Sequence, residues 1–196
     1  MVGEGYRKEA RSTTRVSASS LEAVNLDSGL YTLAARLGAR LHAAGRRLAT
    51  AESCTAGWVA KALTDVPGSS QWFECGYVTY SDAAKIRDLG VKPATLAAFG
   101  AVSEETAREM ALGVLRIPEV SVALAVTGIA GPDGGTPAKP VGTVWFCAAA
   151  RAGPVLEVIA ERQIFPGDRA AVRGCSVRHG LELLIRLDLP GGAPAV

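Results

Sequence analysis

Residues 120–126 read VSVALAV, apolar at every position but one. A strand with one wet face alternates polar and apolar side chains; this one does not, so both of its faces are expected to be buried. A strand buried on both faces sits inside a sheet and requires helices above and below it. The chain provides them. Segments with strand character alternate with segments of helical spacing from residue 27 onward, an order that implies parallel neighbours joined by right-handed crossovers.

In order, the spacing predicts a helix from about Asp27-Ser28 to Ala44, with Leu30, Leu33, Ala34, Leu37 and Leu41 on one side and Gly45 as its stop. A strand over 47–51 leads through a polar turn, 52–57 (ESCTAG), into a helix that Pro67-Gly68 ends. A second strand over 73–80 (FECGYVTY) precedes a short helix beginning at 81–85 (SDAAK). Residues 92–100 read as a connector bounded by Pro and Gly. Ser103 with Glu104 and Glu105 starts the next helix, which continues to Arg116. After the central strand, residues 127–140 (TGIAGPDGGTPAKP) are too rich in Gly and Pro for helix or strand. Strands over 142–150 and 156–165 are joined by too few residues for a crossover, so they pair antiparallel. A last helix runs from about Asp168 to Leu187. The expected fold is a three-layer α/β/α sandwich around a mixed, mostly parallel sheet with an antiparallel member. Residues 27–189 form its domain, with a flexible tail over 1–26 and a frayed one over 190–196.

Composition narrows the function classes. With 48% hydrophobic and 20% charged residues among 196, the chain reads as one soluble domain, and a net charge of +2 favours neither nucleic acid nor a membrane surface as partner. No apolar run approaches a membrane span, and the first residues lack the apolar core of a secretion signal, so a cytoplasmic location is expected. The four cysteines, Cys54, Cys75, Cys147 and Cys175, form no CxxC pair. No cofactor is implied and no metal set either: His42 and His179 are far apart, and Glu52, Asp82 and Asp133 follow no ligand spacing. Self-association is left open.

If the first three strands are parallel neighbours, the loops at 52–54, 81–85 and 127–140 share the carboxyl edge of the sheet, where open α/β folds bind ligands. The first loop places Ser53 at a strand–helix junction, as a nucleophile or as a helix cap; Thr55 could cap as well. The second brings Tyr80 and Lys85. Neither histidine follows a strand, so a lysine whose pKa is lowered by burial is the available base, and Lys85 is better placed than Lys61. An exposed surface lysine remains the other reading of Lys85. The third loop offers backbone N–H groups with Thr127, Asp133 and Lys139, but matches neither GxGxxG nor a Walker loop. Residues 165–169 (FPGDR) put Arg169 at a helix start, suited to a phosphate, with Asp168 as the alternative simple cap.

Taken together, TAESCTAGWVAKALTDVPGSS, GYVTYSDAAK, GAVSEETAREM, AVTGIAGPDGG, KPVGTVWF and FPGDRAAVR, collinear over about residues 30–188, resemble the CinA C-terminal domain family. The family carries a competence- or damage-inducible name, and its stand-alone PncC-type members are nicotinamide-nucleotide amidases. The resemblance implies the same α/β/α fold and a small-molecule substrate, nicotinamide mononucleotide, deamidated to nicotinate mononucleotide and ammonia in pyridine nucleotide recycling. It implies Ser53 as nucleophile and Lys85 as base, with Tyr80 and Thr127 at the family's Tyr and Thr positions and Arg169 at its Gly-Asp-Arg arginine. Backbone N–H groups at the helix start would hold the oxyanion. Thr55 and Gly57 of the junction, with Gly128, Gly131 and Gly134 of the glycine-rich loop, complete the candidate substrate-binding set. In longer family members a nucleotide-processing domain comes first; a short tail stands there instead, so that activity is not expected. The family's Thr-Gly-Gly after Ser-Cys is Thr55-Ala56-Gly57 in this chain. A non-catalytic nucleotide-binding module and an amidase for another small amide are the competing readings.

Overall fold

The computed structural model describes residues 28–187 and 189; the expected tails over 1–26 and 190–196 lie outside the described residues. Five strands form one sheet in the order β2-β1-β3-β4-β5. They are β1 (Leu48–Glu52), β2 (Phe73–Val78), β3 (Val122–Gly128), β4 (Thr143–Ala152) and β5 (Val155–Ile164). β1 pairs parallel with β2 and with β3; β3–β4 and β4–β5 are antiparallel. Four strands therefore run one way and β4 alone runs against them. β3 holds the middle, and its residues 122–127 are buried throughout, as a strand without alternation must be. β2 lies at the edge and alternates half-buried and exposed positions.

The chain steps from β1 outward to β2, then crosses back over β1 to β3. Right-handed crossovers in opposite directions place their helices on opposite faces. On one face α2 (Trp58–Thr64), α1 (Ser28–Ala43) and α6 (Arg169–Arg186) close a core containing Leu37, Leu41, Leu63, Leu124, Phe146 and Leu181. On the other, α5 (Glu104–Val114) packs Ala107, Met110, Ala111 and Val114 on Ala49, Ala51, Ala123 and Ala125. The alanines of the strands let that helix approach closely. α3 (Asp82–Leu89) and α4 (Pro93–Phe99) rest on α5. Among the described residues no helix is long and apolar enough to cross a membrane.

One expected connector is a helix. Pro93 stands in the first turn of α4, where its missing N–H costs nothing, and Gly100 follows the last residue. Pro and Gly here mark the ends of a helix, with Ala94, Thr95, Leu96, Ala97 and Ala98 between them. The hairpin is as expected but tighter: β4 and β5 extend until only Gly153 and Pro154 separate them.

Candidate active site

β1 ends at Glu52 with a neighbour on each side. The Ser53 amide donates to Val126 O (2.9 Å), and Glu52 O accepts from the Thr79 amide (2.9 Å). Ser53 thus leaves the sheet between the ends of β2 and β3, at the point where the strand order reverses and a crevice opens. The turn that follows is left-handed twice, at Ala56 (φ 52°) and Gly57 (φ 89°). Ala56 occupies a conformation that suits glycine, and it is the position where this chain has Ala for the second residue of Thr-Gly-Gly.

The cap of α2 is neither Ser53 nor Thr55. Glu52, 1% exposed, folds its carboxylate back under the helix. Oε2 accepts from the amides of Gly57 (2.9 Å) and Val59 (3.0 Å), and Oε1 from that of Ala60 (2.8 Å). A carboxylate here satisfies three orphan donors and meets the positive helix end. Ser53 is thereby freed of capping duty. Those same amides are equally removed from the list of oxyanion donors expected at the helix start. The Thr55 hydroxyl is buried without a partner among the described residues.

Lys85 arrives from the opposite face. Ser81 caps α3, its hydroxyl accepting from the Ala84 amide (3.1 Å), and one turn in, Lys85 is 1% exposed. Its Nζ reaches Ser53 Oγ at 3.1 Å, Thr79 O at 2.8 Å and Tyr80 O at 3.3 Å. Desolvation lowers its pKa below the ordinary lysine value, against smaller opposing effects of Asp82 and Cys54. A neutral amine has two N–H donors and one lone pair. With the two carbonyls able only to accept, they take the two hydrogens, and the lone pair is left for the Ser53 O–H. The arrangement is that of a base against a hydroxyl. Cys54 is no rival nucleophile: burial pushes its thiol up to about 11, so it stays protonated.

Arg169 ties the remaining loops together. Its Nη1 donates to Gly131 O (3.0 Å) and its Nη2 to the Tyr80 hydroxyl (3.0 Å). Asp168 caps α6, accepting from the Ala171 amide (2.9 Å), as the simpler reading of that helix start had it. Tyr80 is 61% exposed, its ring at the rim of the site and its carbonyl inside. Thr127 is buried at the end of β3 and donates to Ala101 O (2.8 Å). Gly128 lies so close to Val144 and Thr143 that a Cβ would fall 2.7 and 2.8 Å from them. Gly131 is left-handed (φ 82°), and Gly134 lies on the exposed stretch of the same loop. Asp133 is exposed, and Lys139 donates to Phe99 O (2.7 Å).

Residues 30–187 match the CinA C-terminal domain. The chain belongs to that family. It is 51% identical to the nicotinamide-nucleotide amidohydrolase PncC of Escherichia coli K12 over 158 residues, 81% of this chain and 94% of that one. It is 50% identical to the PncC of Pseudomonas putida, over 81% of this chain and 96% of the relative. The crystal structure of the competence/damage inducible protein CihA from Agrobacterium tumefaciens superposes with a TM-score of 0.77 at 43% identity, covering 81% of this chain and 94% of that chain.

In this CinA C-terminal domain two residues of the site escaped the sequence reading. Glu52 is one; the signal was an acid closing a strand whose other residues are all apolar or small. Arg173 is the other. It donates from Nε to Cys54 O (3.1 Å) and from Nη2 to Thr55 O (2.9 Å), and its guanidinium lies 5.5 Å from the Trp58 ring centroid. Four residues after Arg169, it had to share a helix face with it. His179 pairs with Glu161 (3.1 Å) beside Phe146, in a surface depression of about 650 Å3 between α1, α6 and β5. No group there touches Ser53.

Proposed function

We propose that the chain hydrolyses the carboxamide of nicotinamide mononucleotide, releasing nicotinate mononucleotide and ammonia, within the recycling of pyridine nucleotides in the cytoplasm. The observation that carries this reading is the buried Lys85 amine, 3.1 Å from Ser53 Oγ with two carbonyls as its other partners. The names of relatives about half identical over nearly their whole length supply the substrate.

Ser53 Oγ attacks the carboxamide carbon while its proton passes to the neutral Lys85 amine. The C=O pair becomes an oxyanion held by backbone N–H of the Ser53 turn. Collapse breaks the C–N bond, and the Lys85 ammonium returns its proton to the departing nitrogen, which leaves as ammonia. Water, deprotonated by Lys85, then opens the ester and restores Ser53. Tyr80 and Arg169 form the rim against the ribose phosphate. Thr127, whose hydrogen is committed to Ala101 O, retains lone pairs for the substrate amide N–H, and the loop at Gly128, Gly131 and Gly134 lies alongside.

Purified chain given nicotinamide mononucleotide should release ammonia and nicotinate mononucleotide in equal amounts, and Ser53→Ala should release neither. Absence of turnover by wild type, in a panel that includes nicotinamide and nicotinamide riboside, would sink the amidase reading. Turnover surviving in Ser53→Ala would sink the nucleophile.

A further inference from the structure

The amide N–H groups around Ser53 can be followed one by one. That of Ser53 goes to Val126 O, that of Ala56 to Ser53 O and that of Trp58 to Thr55 O. Those of Gly57, Val59 and Ala60 go to Glu52. Within 53–60 the Cys54 and Thr55 N–H groups are left without a hydrogen-bond partner among the described residues, and of the two it is the Thr55 N–H whose peptide carbonyl a charged side chain holds. An oxyanion forming on Ser53 needs such a donor.

The Thr55 N–H shares a peptide plane with the Cys54 carbonyl, and across a trans peptide the two point in opposite directions. Arg173 holds that carbonyl from Nε and the next one, Thr55 O, from Nη2. Arg173 belongs to α6, on the face with α1 and α2, whereas Lys85 comes from α3, which packs on α5 over the other face. A carbonyl drawn toward α6 turns the Thr55 N–H to the side from which Lys85 meets Ser53 Oγ. The guanidinium is itself seated over Trp58. A charged donor on a carbonyl also polarises the peptide and strengthens its N–H. We infer that Arg173 is a positioning residue for the reaction: clamping the Cys54 and Thr55 carbonyls from behind, it aims the Thr55 N–H at the oxyanion. The inference rests on acyl transfer at Ser53.

The test is steady-state kinetics of the full chain with Arg173→Ala and Arg173→Lys on nicotinamide mononucleotide. Both should lose about 10²-fold in kcat, the usual worth of one oxyanion donor, with KM within about twofold. A lysine keeps the charge but cannot grip two carbonyls in a fork. Guanidinium ion at millimolar concentration should restore part of the Arg173→Ala rate, and ammonium should not. Pyridine-3-boronic acid, whose adduct on Ser53 carries a tetrahedral oxyanion, should bind Arg173→Ala about 10²-fold more weakly, while nicotinate mononucleotide binds as to wild type. Wild type alone decides the parent reading, through turnover and the boronate adduct; the variants decide Arg173. Unchanged kcat and boronate affinity in a folded variant overturn the inference. A loss confined to KM overturns it too, and assigns Arg173 to the substrate phosphate. If Arg173→Ala does not fold, Arg173→Lys carries the same comparison.

Discussion

Lys85 Nζ meets Ser53 Oγ at 3.1 Å across 32 residues of sequence, and its other two partners are carbonyl oxygens with no carboxylate among them. Desolvation therefore acts on the ammonium without a full counter-charge and lowers the pKa of the amine below the ordinary lysine value. Lys85→Arg should cost nearly as much activity as Lys85→Ala, at least about 10²-fold, because a guanidinium with a pKa above about 12 cannot take the Ser53 proton. In wild type, kcat/KM should rise with pH along a limb whose pKa lies below the ordinary lysine value of 10.5. A pH–rate profile of both proteins checks this; a Lys85→Arg enzyme retaining most of its rate would show that the lysine serves only as a charge.

The same shift has a sign in stability. The folded-state pKa of Lys85 is lowered, so between it and 10.5 the unfolded chain binds more protons and stability rises with pH. Below that window the whole cost of burying the ammonium is present. Relative to Lys85→Met, wild type should gain stability on going from pH 7 to pH 9.5, as urea unfolding at the two values would measure. A wild type that fails to gain on Lys85→Met, or loses stability relative to it as pH rises, would contradict the lowered pKa.

Glu52 gives a prediction on folding that no surface acid would. Glu52→Ala leaves three amides at the start of α2 without their acceptor, in a place water hardly reaches. Each unmet buried donor costs about 1–3 kcal/mol, partly recovered as the turn relaxes, so a net loss of about 3 kcal/mol is expected. An exposed cap is worth about 1 kcal/mol. Denaturant unfolding distinguishes the two, and a loss under about 1 kcal/mol would mean that other groups serve these amides.

Ala56 can be improved. At φ 52° an alanine is strained by about 1–2 kcal/mol, and glycine removes that strain while adding about 0.4–1 kcal/mol of unfolded-state entropy. Ala56→Gly should therefore stabilise the chain by up to about 1.5 kcal/mol with the amidase rate intact. A destabilised Ala56→Gly protein would place the entropy term above the strain.

Which parts of this were legible in the sequence follows a physical divide. The unbroken apolar run of β3 demanded burial on both faces, and the spacing of Leu30, Leu37 and Leu41 gave α1 its inward side. Strand order then put Ser53, Lys85 and Thr127 at one edge of the sheet. Glu52 and Arg173 were marked by position alone and their roles were not legible, because their partners are backbone atoms of a turn whose path depends on tertiary packing. A side chain that binds carbonyls or amides leaves no complementary residue type in the sequence to pair it with. α4 was missed for a different reason: Pro93 and Gly100 mark turns and helix ends alike.

Substrate choice returns to Arg169, whose guanidinium bridges Gly131 O and the Tyr80 hydroxyl. Among the described residues no carboxylate pairs with this guanidinium at its exposed rim, the condition for receiving a phosphate. Arg169→Ala should weaken handling of nicotinamide mononucleotide by about 1.5–3 kcal/mol, the worth of a hydrogen bond to a charged group, and should barely change the turnover of nicotinamide riboside, which has no phosphate. Because Arg169 also braces the loop, its removal could act through Gly131 and Tyr80 alone, and Tyr80→Phe separates the two effects. That change deletes one acceptor and keeps the charge, so it should leave the preference for nucleotide over riboside within about twofold. The measurement is kcat/KM for wild type and both variants on both substrates. Equal losses on the two substrates in Arg169→Ala would make the arginine a brace for the loop, and the phosphate would then have to be held by the backbone of residues 128–135.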